Sequence, residues 1–249
     1  MTYCLGIAVE NGLIFAADSR TNAGVDYISS YQKLFDFSVP GDRVVVLCTA
    51  GSLSTSQSVM HSLEHDIKTE DVDASLYSLP SMHAIARYVG EKLRKIQSSD
   101  REWLEQDGIG YQSSFIVGGQ IAGGSPEMYL VYSQGNFISA TPETPFLQIG
   151  ETKYGKPILD RTLHYYTPLN QAAKISLLSL DSTMRSNLSV GPPIDMVLYE
   201  TDALTIRNRV QFDEDNPYLS KIREYWEDAL ANATSSLPDI EWSRIEVEE

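Results

Sequence analysis

The order in which apolar patterns change along the chain narrows the available folds more than any single motif. Tyr3 to Val9 alternates small and branched apolar residues, Asn11-Gly12 follows, and Leu13 to Ala17 is apolar again. An Asn-Gly pair between two apolar runs is a strong hairpin signal, because both residues tolerate positive φ. Leu34 to Phe37, the turn Pro40-Gly41-Asp42, and Val44 to Cys48 read as a second strand pair. The first fifty residues are therefore expected to form a β-meander whose first strand begins at the chain terminus. Helical spacing then takes over. Leu53, Val59, Met60, Leu63 and Ile67 mark a helix over 52–67, and Met82, Ile85, Ala86, Val89, Leu93 and Ile96 mark another over 81–96. Residues 97–112 are polar and contain glycine, the pattern of a loop. Strands are expected over 114–118, 128–132, 137–140 and 146–149, and helices over 156–166 and 170–188. Two more strands over 195–200 and 203–210 precede a helix over 218–231 and an acidic tail. Strands, two helices, strands, two helices, strands is neither alternating βαβ nor all-β. It predicts an α+β chain built as a four-layer α/β/β/α sandwich, with one domain over 2–210 and a C-terminal helical extension over 211–249.

Charge and hydropathy remove several classes of function. The 34 acidic side chains outnumber 19 basic ones, for a net charge of −15. Neither a nucleic acid nor an anionic membrane surface is the expected partner of such a chain. No run of 18 apolar residues occurs, so no membrane span is expected. Met1 to Ala17 is apolar but is broken by Glu10-Asn11-Gly12 and has no basic segment ahead of it, unlike a secretory signal. Cys4 and Cys48 both sit in apolar runs and read as free core thiols. The expected compartment is the cytoplasm.

The usual catalytic signatures are thin. His61 and His65 lie four apart, but Glu64 between them does not complete H-E-x-x-H, and no metal site or cofactor is expected. No G-x-S-x-G elbow occurs. Gly118-Gly119 to Gly123-Gly124 lacks a P-loop lysine and lies between two strands, and Asp213-Glu214-Asp215 reads as a solvated acidic run. What remains is the start of the chain. Removal of Met1 would leave Thr2 with a free α-amine, whose ordinary pKa of about 7.7–8.0 suits a general base near neutral pH. A threonine hydroxyl activated by its own amine is an established nucleophile design.

The text around Thr2 gives that reading weight. Thr2 begins a strand, Ala16-Ala17-Asp18-Ser19-Arg20 closes the next, Lys33 sits in Tyr31-Gln32-Lys33-Leu34-Phe35, and Thr49-Ala50-Gly51-Ser52 precedes a helix. Phe115-Ile116-Val117-Gly118-Gly119 and Met128-Tyr129-Leu130-Val131-Tyr132-Ser133-Gln134-Gly135 follow. Over residues 2 to 200 this pattern resembles proteasome β-subunits and their bacterial relatives, and within them the Anbu (ancestral β-subunit) group.

That resemblance implies the N-terminal-nucleophile hydrolase fold and a threonine-type peptidase acting on peptide or unfolded polypeptide. It also implies a homo-oligomer, ring or spiral. Thr2 would attack the peptide carbonyl. Lys33 would favour the neutral amine and stabilise the alkoxide, Asp18 would hold Lys33 charged, and the Gly51 N–H would be the oxyanion donor. Thr21 and Asn22 would pair with extended substrate, while Thr49 and Leu53, and less directly Tyr31, would line the pocket before the scissile bond. Ser189 matches the serine of the family's D-x-x-S motif, but Ser186 stands where the aspartate belongs. Glu151 takes the place of a supporting serine; close to the α-amine it would raise that group's pKa and leave a slow or selective site. The competing readings are a non-catalytic scaffold subunit and an amidase for a small amide. Proteasome α-subunits carry a helix before the first strand, which this chain lacks.

Overall fold

A computed structural model describes residues 1–22, 28–69 and 74–242, the side chains of Asn22, Ile28 and Ser29 excepted. The chain divides into two units, Met1–Glu214 and Asp215–Glu249. In the first, strands β1 (Tyr3–Val9), β2 (Gly12–Asp18), β3 (Arg20–Asn22), β4 (Ile28–Ser30), β5 (Leu34–Asp36) and β6 (Arg43–Gly51) lead to helices α1 (Leu53–Lys68) and α2 (Met82–Gln106). Strands β7 (Ser113–Ile121), β8 (Glu127–Val131), β9 (Phe137–Ser139) and β10 (Phe146–Gly150) precede α3 (Lys156–Thr162) and α4 (Leu169–Ser186). Strands β11 (Ile194–Glu200) and β12 (Asn208–Phe212) follow. The second unit holds α5 (Pro217–Ser235), whose cap residue Asn216 accepts the Tyr218 N–H.

Two antiparallel sheets form the centre, ordered β10-β1-β2-β11-β12 and β5-β6-β7-β8-β9. Strand alternation sorts their side chains. Cys4, Phe15 and Ala17 of the first sheet meet Val46, Cys48, Ile116 and Met128 of the second in one buried cluster. The sheets close tightly here: a Cβ on Gly6 would stand 2.5 Å from Met128 Sδ. The other face of the second sheet, with Val45, Leu47 and Val117, packs on α1 and α2 through Val59, Leu63, Ile85 and Val89. On the outer face of the first sheet, the Tyr3 hydroxyl meets Ser179 of α4 at 2.7 Å. Helices, sheet, sheet, helices: the four-layer α/β/β/α sandwich is present.

Four local expectations need correction. The first fifty residues are not one meander, because β1 and β2 pair in the first sheet while β5 and β6 pair in the second. Between these pairs, β3 and β4 form a short antiparallel ladder of their own, which composition did not announce. Helix α2 runs to Gln106 through a stretch expected to be loop; the first glycine after its apolar face ends is Gly108, and Arg101 pairs with Glu105 one turn on. Helix α3 stops at Thr162, short of 166. The last strand starts at Asn208, not 203, since Asp202 and Leu204 take φ of 63° and 45° in a turn.

Candidate active site

Two strand ends and a crossover segment meet where the sheets part. Asp18 is the last residue of β2, fully buried, and its carboxylate is surrounded by donors. Oδ1 accepts the Tyr3 N–H at 2.9 Å and Lys33 Nζ at 2.8 Å, and Oδ2 accepts the Gly191 N–H at 3.3 Å. Burial pushes the carboxyl above its ordinary range, opposed by the Lys33 charge and by those two backbone N–H groups. Lys33 is 5% exposed and also donates to the Arg20 carbonyl at 2.6 Å. An ammonium has three donors, and these two bonds leave one for the space that Lys33 lines. Asp18 belongs to the first sheet, and Lys33 leads into β5 of the second, so the pair ties one sheet to the other.

Thr2 lies one residue ahead of β1. Tyr3 points outward to Ser179, so alternation turns Thr2 inward. The Thr2 carbonyl accepts the Glu151 N–H at 2.7 Å. Gly150 lies directly over it, with φ of +86°, and a Cβ there would be 1.9 Å from Thr2 O. Gly51 ends β6 with φ of +112°, and a Cβ on it would be 2.3 Å from Gln112 O. Both positions exclude a side chain. The Ser52 N–H turns to Gln112 O at 2.8 Å, and the Thr49 N–H turns the other way, to Lys33 O at 2.9 Å. Successive N–H groups leave a strand on alternate edges, so the Gly51 N–H leaves on the Lys33 side, beyond the start of β5. Helix α1 begins just past it, capped by Ser52, which accepts the Thr55 N–H. Its N-terminus adds positive potential at that point.

A cavity of about 500 Å³ joins these groups: Thr2, Thr21, Lys33, Thr49, Gly51 and Leu53 all line it, together with Met1 and Ser56. Of the residues singled out from sequence, these six surround one space and Asp18 lies beneath Lys33. Asn22 closes β3 opposite Ile28, and its side chain lies outside the described residues. Tyr31 does not line the cavity; its N–H donates to Ser19 O. Ser189 does not line it either. It sits in the loop after α4, its N–H on Asn187 Oδ1 at 3.0 Å. Sequence reasoning gave no role to Gly150, Gly191 or Ser56. The glycine in Ile149-Gly150-Glu151 was a visible signal, whereas Gly191 and Ser56 reach the site only through tertiary folding. Among the described residues, no three His, Cys, Asp or Glu side chains gather as a metal site needs, and no helix is long and apolar enough to cross a membrane.

Known proteins share this fold. The family model described as "Proteasome subunit" matches residues 2–198. Among solved structures, Anbu from Yersinia bercovieri is 41% identical with a TM-score of 0.91, over 97% of this chain and 100% of that one. The helical assembly of the Anbu complex from Pseudomonas aeruginosa is 48% identical, TM-score 0.91, over 96% and 98%. Anbu from Hyphomicrobium sp. strain MC1 is 43% identical, TM-score 0.89, over 96% and 100%. A search of curated proteins found no match.

Proposed function

Because this chain belongs to the proteasome subunit family, we propose that it is a threonine-type peptidase in which Thr2, freed by removal of Met1, is the nucleophile. The observation that carries the reading is the single cavity shared by Thr2, Lys33 and Gly51. Thr2 Oγ1 adds to the peptide carbonyl while its proton passes to the α-amine, directly or through water. The oxyanion so formed meets the Gly51 N–H, an interaction typically worth about 2.7–4 kcal/mol. Collapse breaks the C–N bond, and the leaving amine takes the proton from the α-ammonium. Water then hydrolyses the Thr2 ester by the same route. Lys33 disfavours a second positive charge on the amine and stabilises the alkoxide. Extended substrate adds along the Thr21 strand, with Thr49 and Leu53 beside the residue before the scissile bond.

A covalent probe tests this. Met-free protein incubated with a peptide epoxyketone or β-lactone is expected to carry one adduct, found by mass spectrometry on the N-terminal peptide. Absence of any adduct overturns the reading in favour of a scaffold, and an adduct elsewhere overturns it in favour of another nucleophile.

The Pseudomonas aeruginosa relative is described as a helical assembly, and on that basis this chain assembles with copies of itself. Sedimentation analysis is expected to give a large multiple of 27.7 kDa; a monomer at micromolar concentration would refute this.

A further inference from the structure

Glu151 is a buried carboxylate in search of a cation. It is 8% exposed, the first residue past β10, and its carboxylate Oε2 accepts Asn187 Nδ2 at 3.2 Å. The Asn187 amide cannot be flipped to suit another partner, because its Oδ1 already takes the Ser189 N–H. It therefore presents a donor to Glu151, which suits the ionised form. The Asn187 amide is neutral and brings no charge to this carboxylate. A buried carboxylate gains from a positive charge placed beside it. Removal of Met1 creates one next door, on the residue whose carbonyl the Glu151 N–H already holds at 2.7 Å.

We propose that Glu151, aimed by Asn187, is the counter-ion of the mature Thr2 α-ammonium and so sets the pH at which Thr2 gains its own base. The inference rests on the Thr2 reading above. It also recasts Ser186 and Glu151: the carboxylate absent from the end of α4 is supplied from just past β10, and Asn187 links the two. The other charges facing Thr2 act differently. Lys33 lowers the amine's pKa. Asp18 already accepts from Lys33 and from two backbone N–H groups. Arg20 is turned to Leu188 O and Glu214, and Lys153 and Arg185 on the flanking segments are exposed. Glu151 is thus the carboxylate that holds the ammonium. Because hydrolysis needs the neutral amine, the basic rise in activity is displaced to higher pH. Glu151 acts as a positioning residue and does not touch substrate.

The test is the pH dependence of Thr2 acylation by a peptide β-lactone, read by mass spectrometry in wild type, Glu151→Gln and Glu151→Asp. Glutamine keeps an acceptor for Asn187 and removes the charge. Its midpoint is expected about 1 unit or more below wild type, with acylation at pH 7 roughly tenfold faster; aspartate should restore much of the wild-type midpoint. Equal midpoints for wild type and Glu151→Gln overturn the inference while leaving the nucleophile intact. No adduct in any variant at any pH overturns the Thr2 reading itself. If Glu151→Gln does not fold, the pH dependence of α-amine acetylation in wild type decides. A midpoint above about 8 supports the ion pair, and one at or below the ordinary 7.7–8.0 refutes it.

Discussion

Thr2→Ala is expected to lower kcat/KM on a peptide amide by on the order of 10⁴-fold or more, the scale seen when a hydrolase loses its nucleophile. Stability should scarcely change. The Thr2 side chain is only half-buried and makes none of the hydrogen bonds described above, and surface-type truncations of this kind fall within about 0.5 kcal/mol. Alanine is small enough that Met1 removal should proceed as before. Thr2→Ser should retain part of the activity, since it keeps the hydroxyl but loses the β-methyl that restricts χ1. Progress curves and melting temperatures on the same preparations separate these effects. Wild-type turnover by Thr2→Ala would place the nucleophile elsewhere.

Lys33→Ala should damage both chemistry and fold. It strands Asp18, fully buried, with only the N–H groups of Tyr3 and Gly191. Removing one partner of a buried ion pair costs about 3–5 kcal/mol, which for a chain of this size lowers Tm by on the order of 10 °C. Hydrolysis should fall by roughly 10²–10⁴-fold. The double variant Lys33→Ala with Asp18→Asn distinguishes the two roles. With neither member of the pair charged, much of the stability should return, whereas hydrolysis should stay lost. Recovery of activity together with stability would make the pair purely structural. Melting curves and peptide turnover for wild type and the two variants supply the comparison.

The layer order was legible because its signals are local: Asn11-Gly12 between apolar runs, the spacing of Leu63 and Val89, and the caps Ser52 and Ser81. Which strands share a sheet was not, since β2 and β5 read alike and only the crossover between them decides. The far half of α2 was hidden by its polar surface, as Arg101 and Glu105 face solvent. Within the site, Asp18, Lys33, Thr49 and Gly51 were legible because each sits at a strand end in a recognisable order. Tyr3 and Gly191 contribute backbone N–H groups, and backbone roles leave little trace in residue type. The bond between Asn187 and Glu151 joins two loops 36 residues apart. Nothing in either stretch signals the other.

The seam between the sheets has a mechanical consequence. The proposed nucleophile and oxyanion donor ride on different plates: Thr2 just ahead of β1, Gly51 at the end of β6. Their separation is thus a gauge of how far apart the plates stand, and the spacer is the apolar filling of Cys4, Phe15, Ile116 and Met128. At Gly6 that spacer leaves no room for a side chain, with Met128 Sδ 2.5 Å from where a methyl would go. Enlarging a side chain there, out of contact with any substrate, would open the jaws of the site as surely as a change inside it.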